Sequence, residues 1–159
     1  MLCQHAGMPW LPDDFTPPAT VGLGDTGRHH LRPIRADDVE LDMIAVMGSR
    51  ERLFSIYGAA WGWPPAGMTT EQDREDLRYH EDEMAARSSY NYALFDEGEQ
   101  TLLGCVYIDP AEDDEADAVV SWWTVDSLVG TPVAAALDEF VPAWLDRVWP
   151  FARVRYGVE

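Results

Sequence analysis

Residues 89–125 read SYNYALFDEGEQTLLGCVYIDPAEDDEADAVVSWWTV, and three strand-like runs lie in them. The first, 89–95, ends at the turn Asp96-Glu97-Gly98. The second, 102–109, ends at Pro110. The third, 118–125, follows an acidic stretch from Glu112 to Asp117. The connections are short, so the three runs predict an antiparallel meander. The second and third are apolar at odd and even positions alike. Such strands need cover on both faces, so helices are expected on both sides of the sheet.

Working upstream, a strand is expected at 29–34. Asp37 reads as a helix N-cap with Glu40 three residues on, a capping-box pattern. Val39, Met43, Ile44 and Met47 recur at helical spacing. The helix continues through Leu53 and Phe54 to Tyr57, with a break near Gly48 and a stop at Gly58. The loop GAAWGWPPAGMT (58–69) follows, with Trp61 and Trp63 in it. Thr69 and Gln72 form a second capping pair for a helix running to about Arg87. Glu71, Asp73, Glu75 and Asp76 crowd its start, where the helix dipole favours negative charge.

Downstream, Thr131 is an N-cap with Pro132 at the first helical position. Val133, Leu137, Phe140, Val141, Trp144, Leu145 and Val148 make one apolar stripe, bent by Pro142 and ended by Pro150. A last strand is expected at 152–156. Residues 1–27 are broken by Pro and Gly and read as an irregular arm, pinned by Trp10, Leu11 and Phe15. Residues 28–159 form the domain. The order is β-α-α-β-β-β-α-β, an α/β fold with a mixed central sheet and helices on both faces.

Composition agrees with one globular domain: 159 residues, 47% hydrophobic. Asp and Glu total 29 against 11 basic residues, for a net charge of −18, and every basic residue is Arg. Such a field repels nucleic-acid phosphates and anionic membrane surfaces. It attracts a cationic partner such as an amine, although solubility is the plainer reading. Cys3 and Cys105 match no metal spacing, and Cys105 sits in an apolar run as a buried thiol. A reducing, cytoplasmic setting is the default. The start MLCQHAGMPW has no signal-peptide pattern, and no apolar stretch reaches the ~20 residues a membrane span needs. The run Glu112, Asp113, Asp114, Glu115, Asp117 lacks an EF-hand's Gly and spacing and reads as a solvated hairpin tip, so no metal is expected.

The order of elements, with LRPIRADDVE at the first strand–helix junction and NYALFDEGEQTLLGCVYID as a hairpin, resembles the GNAT superfamily of N-acetyltransferases over about residues 28–156. The resemblance implies acetyl-CoA bound beside the fourth strand and an acetyl group passed to an amine. By position it implies cofactor contacts at Trp123, Thr124, Val125, Gly130 and Thr131, with the backbone of Trp123 and Val125 meeting the pantetheine arm. The family's Gln/Arg-x-x-Gly-x-Gly/Ala phosphate loop corresponds to Val125-Asp126-Ser127-Leu128-Val129-Gly130-Thr131-Pro132. This segment lacks the Gln/Arg, loses an N–H at Pro132 and adds a carboxylate at Asp126. The chain ends before the family's last helix and strands, leaving a sheet edge for a partner chain, as in a homodimer, or the N-terminal arm to cover.

Three residues of the second helix are candidates for catalysis. His80 and Glu83 share a face one turn apart, with Tyr79 beside them, and such groups take a proton from an amine. A solvated acidic helix face is the competing reading. Trp61 and Trp63 are candidates to roof a substrate pocket and cradle a cation. Trp122 and Trp123 fall on opposite faces of the fourth strand, so one packs in the core while the other is a candidate to line the groove. The function expected is an acetyl-CoA-dependent N-acetyltransferase acting on a small amine. The alternative is a non-catalytic domain of that fold, using the aromatic groove for a ligand or partner.

Overall fold

The computed structural model describes residues 9–24 and 27–158; Cys3 and the MLCQHAG start lie outside them. The elements are β1 (Val21–Gly22), β2 (His29–Pro33), α1 (Val39–Gly48), α2 (Arg50–Trp61), α3 (Thr70–Ala85), β3 (Tyr90–Asp96), β4 (Leu102–Pro110), β5 (Ala118–Thr124), α4 (Pro132–Val148) and β6 (Val154–Tyr156). The six strands form one sheet in chain order. Neighbours are antiparallel except β5 and β6, which run parallel. The short β1 is the one strand not expected, so the fourth and fifth strands of the sequence reading are β5 and β6.

The two faces carry separate cores. On one, Tyr90, Tyr92, Leu94, Val106, Ile108 and Val120 pack against Leu137, Val141, Trp144 and Leu145 of α4, with Leu11 of the arm. On the other, Ala93, Phe95, Cys105, Tyr107 and Trp123 pack against Val39, Val46, Leu53, Tyr57 and Leu77 of α1–α3. Alternate residues of β3, β4 and β5 feed opposite cores, as strand geometry requires. The arm is pinned as expected. Trp10 Nε1 donates to the Asp117 carbonyl at 2.9 Å, and its ring stacks on Phe151 at 5.3 Å.

Four local expectations are corrected. The break expected near Gly48 is present, at Ser49, but α2 runs past Gly58 to Trp61, because Gly62 at φ 63° supplies the left-handed cap. The capping box at the start of the helical segment belongs to Arg35 and Asp38, not to Asp37 and Glu40. Asp38 is drawn there by Arg32, whose guanidinium pairs with it at 2.8 and 2.9 Å. Ile44 is exposed, and the buried face of α1 is Val39, Asp42, Ala45 and Val46. Thr131 is the N-cap of α4, but its hydroxyl donates to the Leu128 carbonyl and accepts nothing from the helix. The Thr69–Gln72 capping box is present as read.

The β5–β6 junction positions the site. The two strands pair from Ala118↔Val154 to Val120↔Tyr156, and the Gly157 N–H donates to the Val120 carbonyl. Beyond that point β6 has ended. Among the described residues, the edge of β5 from Ser121 to Thr124 has no strand beside it.

A candidate acceptor cavity and cofactor edge

A cavity of about 470 Å³ opens on the α1–α3 face, at the point where β5 leaves β6. Its floor is one face of the sheet: Cys105, Tyr107 and Asp109 from β4, Asn91 from β3, and Val119 and Ser121 from β5. Alternation along the strands sets these side chains on one side. Helix α3 supplies Asp73, Asp76, Leu77, Tyr79, His80 and Glu83 along one flank, and α1 supplies Asp42. Trp61 and Trp63 close the opposite wall. Trp61 stacks on Tyr57 at 4.6 Å, and both tryptophans meet the Tyr107 ring edge-on.

The lining is strongly anionic. Six carboxylates (Asp42, Asp73, Asp76, Glu83, Asp109 and Glu112) face a single His80, and no Arg is among the described lining residues. Burial drives the electrostatics. It pushes Asp42 well above the usual carboxylate range, and the neighbouring charge of Asp73 adds to this. Burial also raises Asp73, Asp76 and Asp109; the Ser89 hydroxyl opposes the rise at Asp109, and His80 opposes it at Asp76. The Tyr107 phenol is raised by burial and accepts a hydrogen bond from Trp123 Nε1 at 2.8 Å. His80 Nδ1 stands 3.4 Å from Glu83 Oε1.

Of the residues singled out from sequence, the cavity brings together Tyr79, His80, Glu83, Trp61 and Trp63. Tyr79 is at the rim and largely exposed. Trp122 lies on the opposite face, where Nε1 donates to Asp138 of α4 at 2.8 Å and the ring meets Tyr156 edge-on. It lines no part of this cavity. Trp123 is buried in the core of the cavity side.

The backbone of Trp123 and Val125, read by position as facing the cofactor, faces β4. The Trp123 carbonyl oxygen lies against β4, where a Cβ on Gly104 would meet it, and the Val125 N–H donates to Leu103 of β4. The Val120 carbonyl faces β6, so alternation turns the backbone of Trp122 and Thr124 toward the open edge. There the Thr124 carbonyl accepts from Arg52 of α2, whose Nε also pairs with Asp126 at 2.7 Å.

In the loop after β5, the Asp126 N–H donates to Ser49 Oγ, and those of Leu128, Val129 and Thr131 are taken within the loop. Gly130, at φ 78° with open space around it, keeps a chain conformation that admits a close ligand. Next to the loop, a shallow hollow is lined by Met47, Gly48, Arg50, Glu51 and Asp126, and the buried Nε of Arg50 has no hydrogen-bond partner. An orphaned cationic donor beside a helix N-terminus is suited to phosphate. The open edge of β5 and Arg50 Nε are groups that suit a coenzyme A thioester, while Glu51 and Asp126 in the same hollow oppose its phosphates. The loop N–H groups contribute little.

Sequence reasoning missed Asp42, Asp73 and Asp109 as site residues, together with Asn91, Arg50 and Arg52. A signal existed for Asp42: it stands three residues from both Val39 and Ala45, on a helix face that is otherwise apolar. Asp109 closes an otherwise apolar strand.

No protein family and no curated protein matches the chain by sequence. Solved structures match it by fold. The chain is similar to the ribosomal-protein-S5-alanine acetyltransferase of Vibrio fischeri, with TM-score 0.61 and 14% identity, over 77% of this chain and 66% of that one. It is similar to a ribosomal L7/L12 α-N-protein acetyltransferase solved with coenzyme A, with TM-score 0.61 and 16% identity, over 79% and 68% of the two chains. It also resembles the microcin C7 self-immunity acetyltransferase solved with acetyl-CoA and AMP, with TM-score 0.62 and 10% identity, over 83% and 70%. The chain spans about two thirds of the length of the first of these. The fold is that of the GNAT acetyltransferases.

Proposed function

We propose that this chain is an N-acyltransferase that uses acetyl-CoA and accepts a small amine. The carrying observation is one of position. The anionic cavity opens at Ser121 and Gly157, where β5 parts from β6. An acceptor held in it lies beside the edge that the fold leaves free for an acyl donor.

An amine arrives as an ammonium, drawn by the six carboxylates. Trp61, Trp63 and Tyr107 give it aromatic surface, which favours a cation when water is excluded. To become a nucleophile it must lose a proton. Glu83, oriented by His80 and with Asp109 facing it from the floor, takes that proton directly or through water. Tyr79 closes the rim. The open backbone groups of Trp122 and Thr124 hold the pantetheine arm, with Arg52 giving up the Thr124 carbonyl. Arg50, Gly130 and the first turn from Thr131 take the phosphates. The bound thioester supplies an activated acyl group, and holding the amine against it provides the proximity term.

Thiol release from acetyl-CoA across an amine panel tests this reading. Glu83→Gln is expected to lower kcat about 100-fold, the low end for losing a general base, with KM for acetyl-CoA unchanged. A second reading, a non-catalytic domain, is favoured by the Arg52 contact that closes the edge at Thr124 and Asp126. Absence of any coenzyme A binding by calorimetry would select it.

A further inference from the structure

Two buried side chains in the cavity carry an acceptor atom without a partner. Asn91 is 3% exposed with its Oδ1 unpartnered; Asp73 is 2% exposed with its Oδ2 unpartnered, although its carboxyl also hydrogen-bonds with the buried Asp42 carboxyl. Both residues line the cavity. A buried acceptor left without a donor costs about 1–3 kcal/mol, so a site holding two is shaped for a ligand that brings donors only. Ammonium groups are donors only.

The acids are also laid out in a line. Asp42 and Asp73 act on the Cys105 thiol at one end of the β4 floor, and Asp109 marks the other end, facing Glu83 and His80. Cys105 and Asp109 are four residues apart on one strand face, which spans about 13 Å. Between them stands Tyr107, paired in register with Asn91 and walled by Trp61 and Trp63. The cavity is thus acidic at both ends and aromatic in the middle, with an orphaned acceptor at one end and another at its centre.

We propose that the acceptor is a linear polyamine. One ammonium seats against Asp73 and Asp42, an inner one reaches Asn91, and the methylenes run along Tyr107 and the two tryptophans. The terminal nitrogen near Asp109 and Glu83 is the one presented at the β5–β6 parting. A monoamine fills one end and leaves an orphaned acceptor unmatched. This rests on the amine-acceptor reading of the cavity and names its substrate class.

Calorimetry with spermidine and with butylamine, without acyl donor, tests it on the full chain. Spermidine is expected to bind once per chain and at least tenfold tighter than butylamine. Asp73→Asn should remove most of that ratio with butylamine little changed. Glu97→Gln, which removes the same charge from an exposed turn, should preserve it. A ratio near one on the unmodified chain overturns the proposal, whatever the variants do. So does an equal loss in both variants, which marks general attraction to the −18 surface. Thiol release from acetyl-CoA separates the two readings. One-to-one spermidine binding without release fails the transferase and supports the polyamine site. Release that runs as well with butylamine as with spermidine supports the transferase and overturns the polyamine.

Discussion

Asp42 shows what a single residue hides from a sequence reading. Its α1 face was legible as helical, but Ile44 was counted inward and is exposed, while Asp42 is 3% exposed. A carboxylate in an apolar stripe breaks the periodicity that hydropathy detects. Tyr79, His80 and Glu83 were legible because a capped helix places them on known turns. Asp73 sits four residues past its cap, Thr69, where the helix dipole accounts for it; its cavity role needed the sheet to be in place. Asp42's folded pKa is raised, so its favourable contribution exists at low pH and is lost as pH rises. Asp42→Asn removes the buried charge. It is expected to stabilise the chain at pH 8 by about 1 kcal/mol, roughly 3 °C in Tm, and to do little at pH 4. Thermal melting at the two pH values measures it. Gly104→Ala is expected to destabilise by about 2–3 kcal/mol in urea titration, because the added Cβ would collide with the Trp123 carbonyl oxygen.

At the scale of elements, the meander and α4 were readable because their apolar patterns are long. The junction of β2 with α1 was read one residue off, because a charge network sets it. Arg32, 6% exposed, binds Asp38 at 2.8 Å and Glu99 at 2.9 Å, and Glu99 also meets His30 at 2.6 Å. Those partners tie β2 to the helical entry and to the β3–β4 turn. Arg32→Met is expected to cost about 3 kcal/mol, because it leaves Asp38 buried and unpaired. Chemical denaturation gives the value directly. The free edge of β5 was also foreseen, but its register was not. A one-residue slip turns every backbone group to the other side, and only the pairing of Val120 with Tyr156 decides it.

For the whole molecule, stability is expected to be greatest in mild acid. Burial raises Asp42, Asp73, Asp76 and Asp109, and what they contribute is lost as pH climbs through their raised values. Glu99 acts in the other direction. Arg32 and His30 hold it at about 2, so its contribution is present above 4.5 and disappears as pH falls toward 2. Melting temperature is therefore expected to be higher at pH 5 than at pH 8 and to drop again below pH 4. A profile rising steadily to pH 8 would contradict this. The α/β class and the helices on both faces were legible because they follow from which strands are apolar on both sides, whereas the β5–β6 parting was implied by the family resemblance. The way the arm is fastened also has a temporal side. Trp10 rests on Asp117 and Phe151, and Phe15 packs on Trp149. These are long-range contacts, so during translation the arm has no berth until residues 117 to 151 have followed it. A nascent chain stalled before Trp149 holds Leu11 and Phe15 in water, exposed to proteases and chaperones.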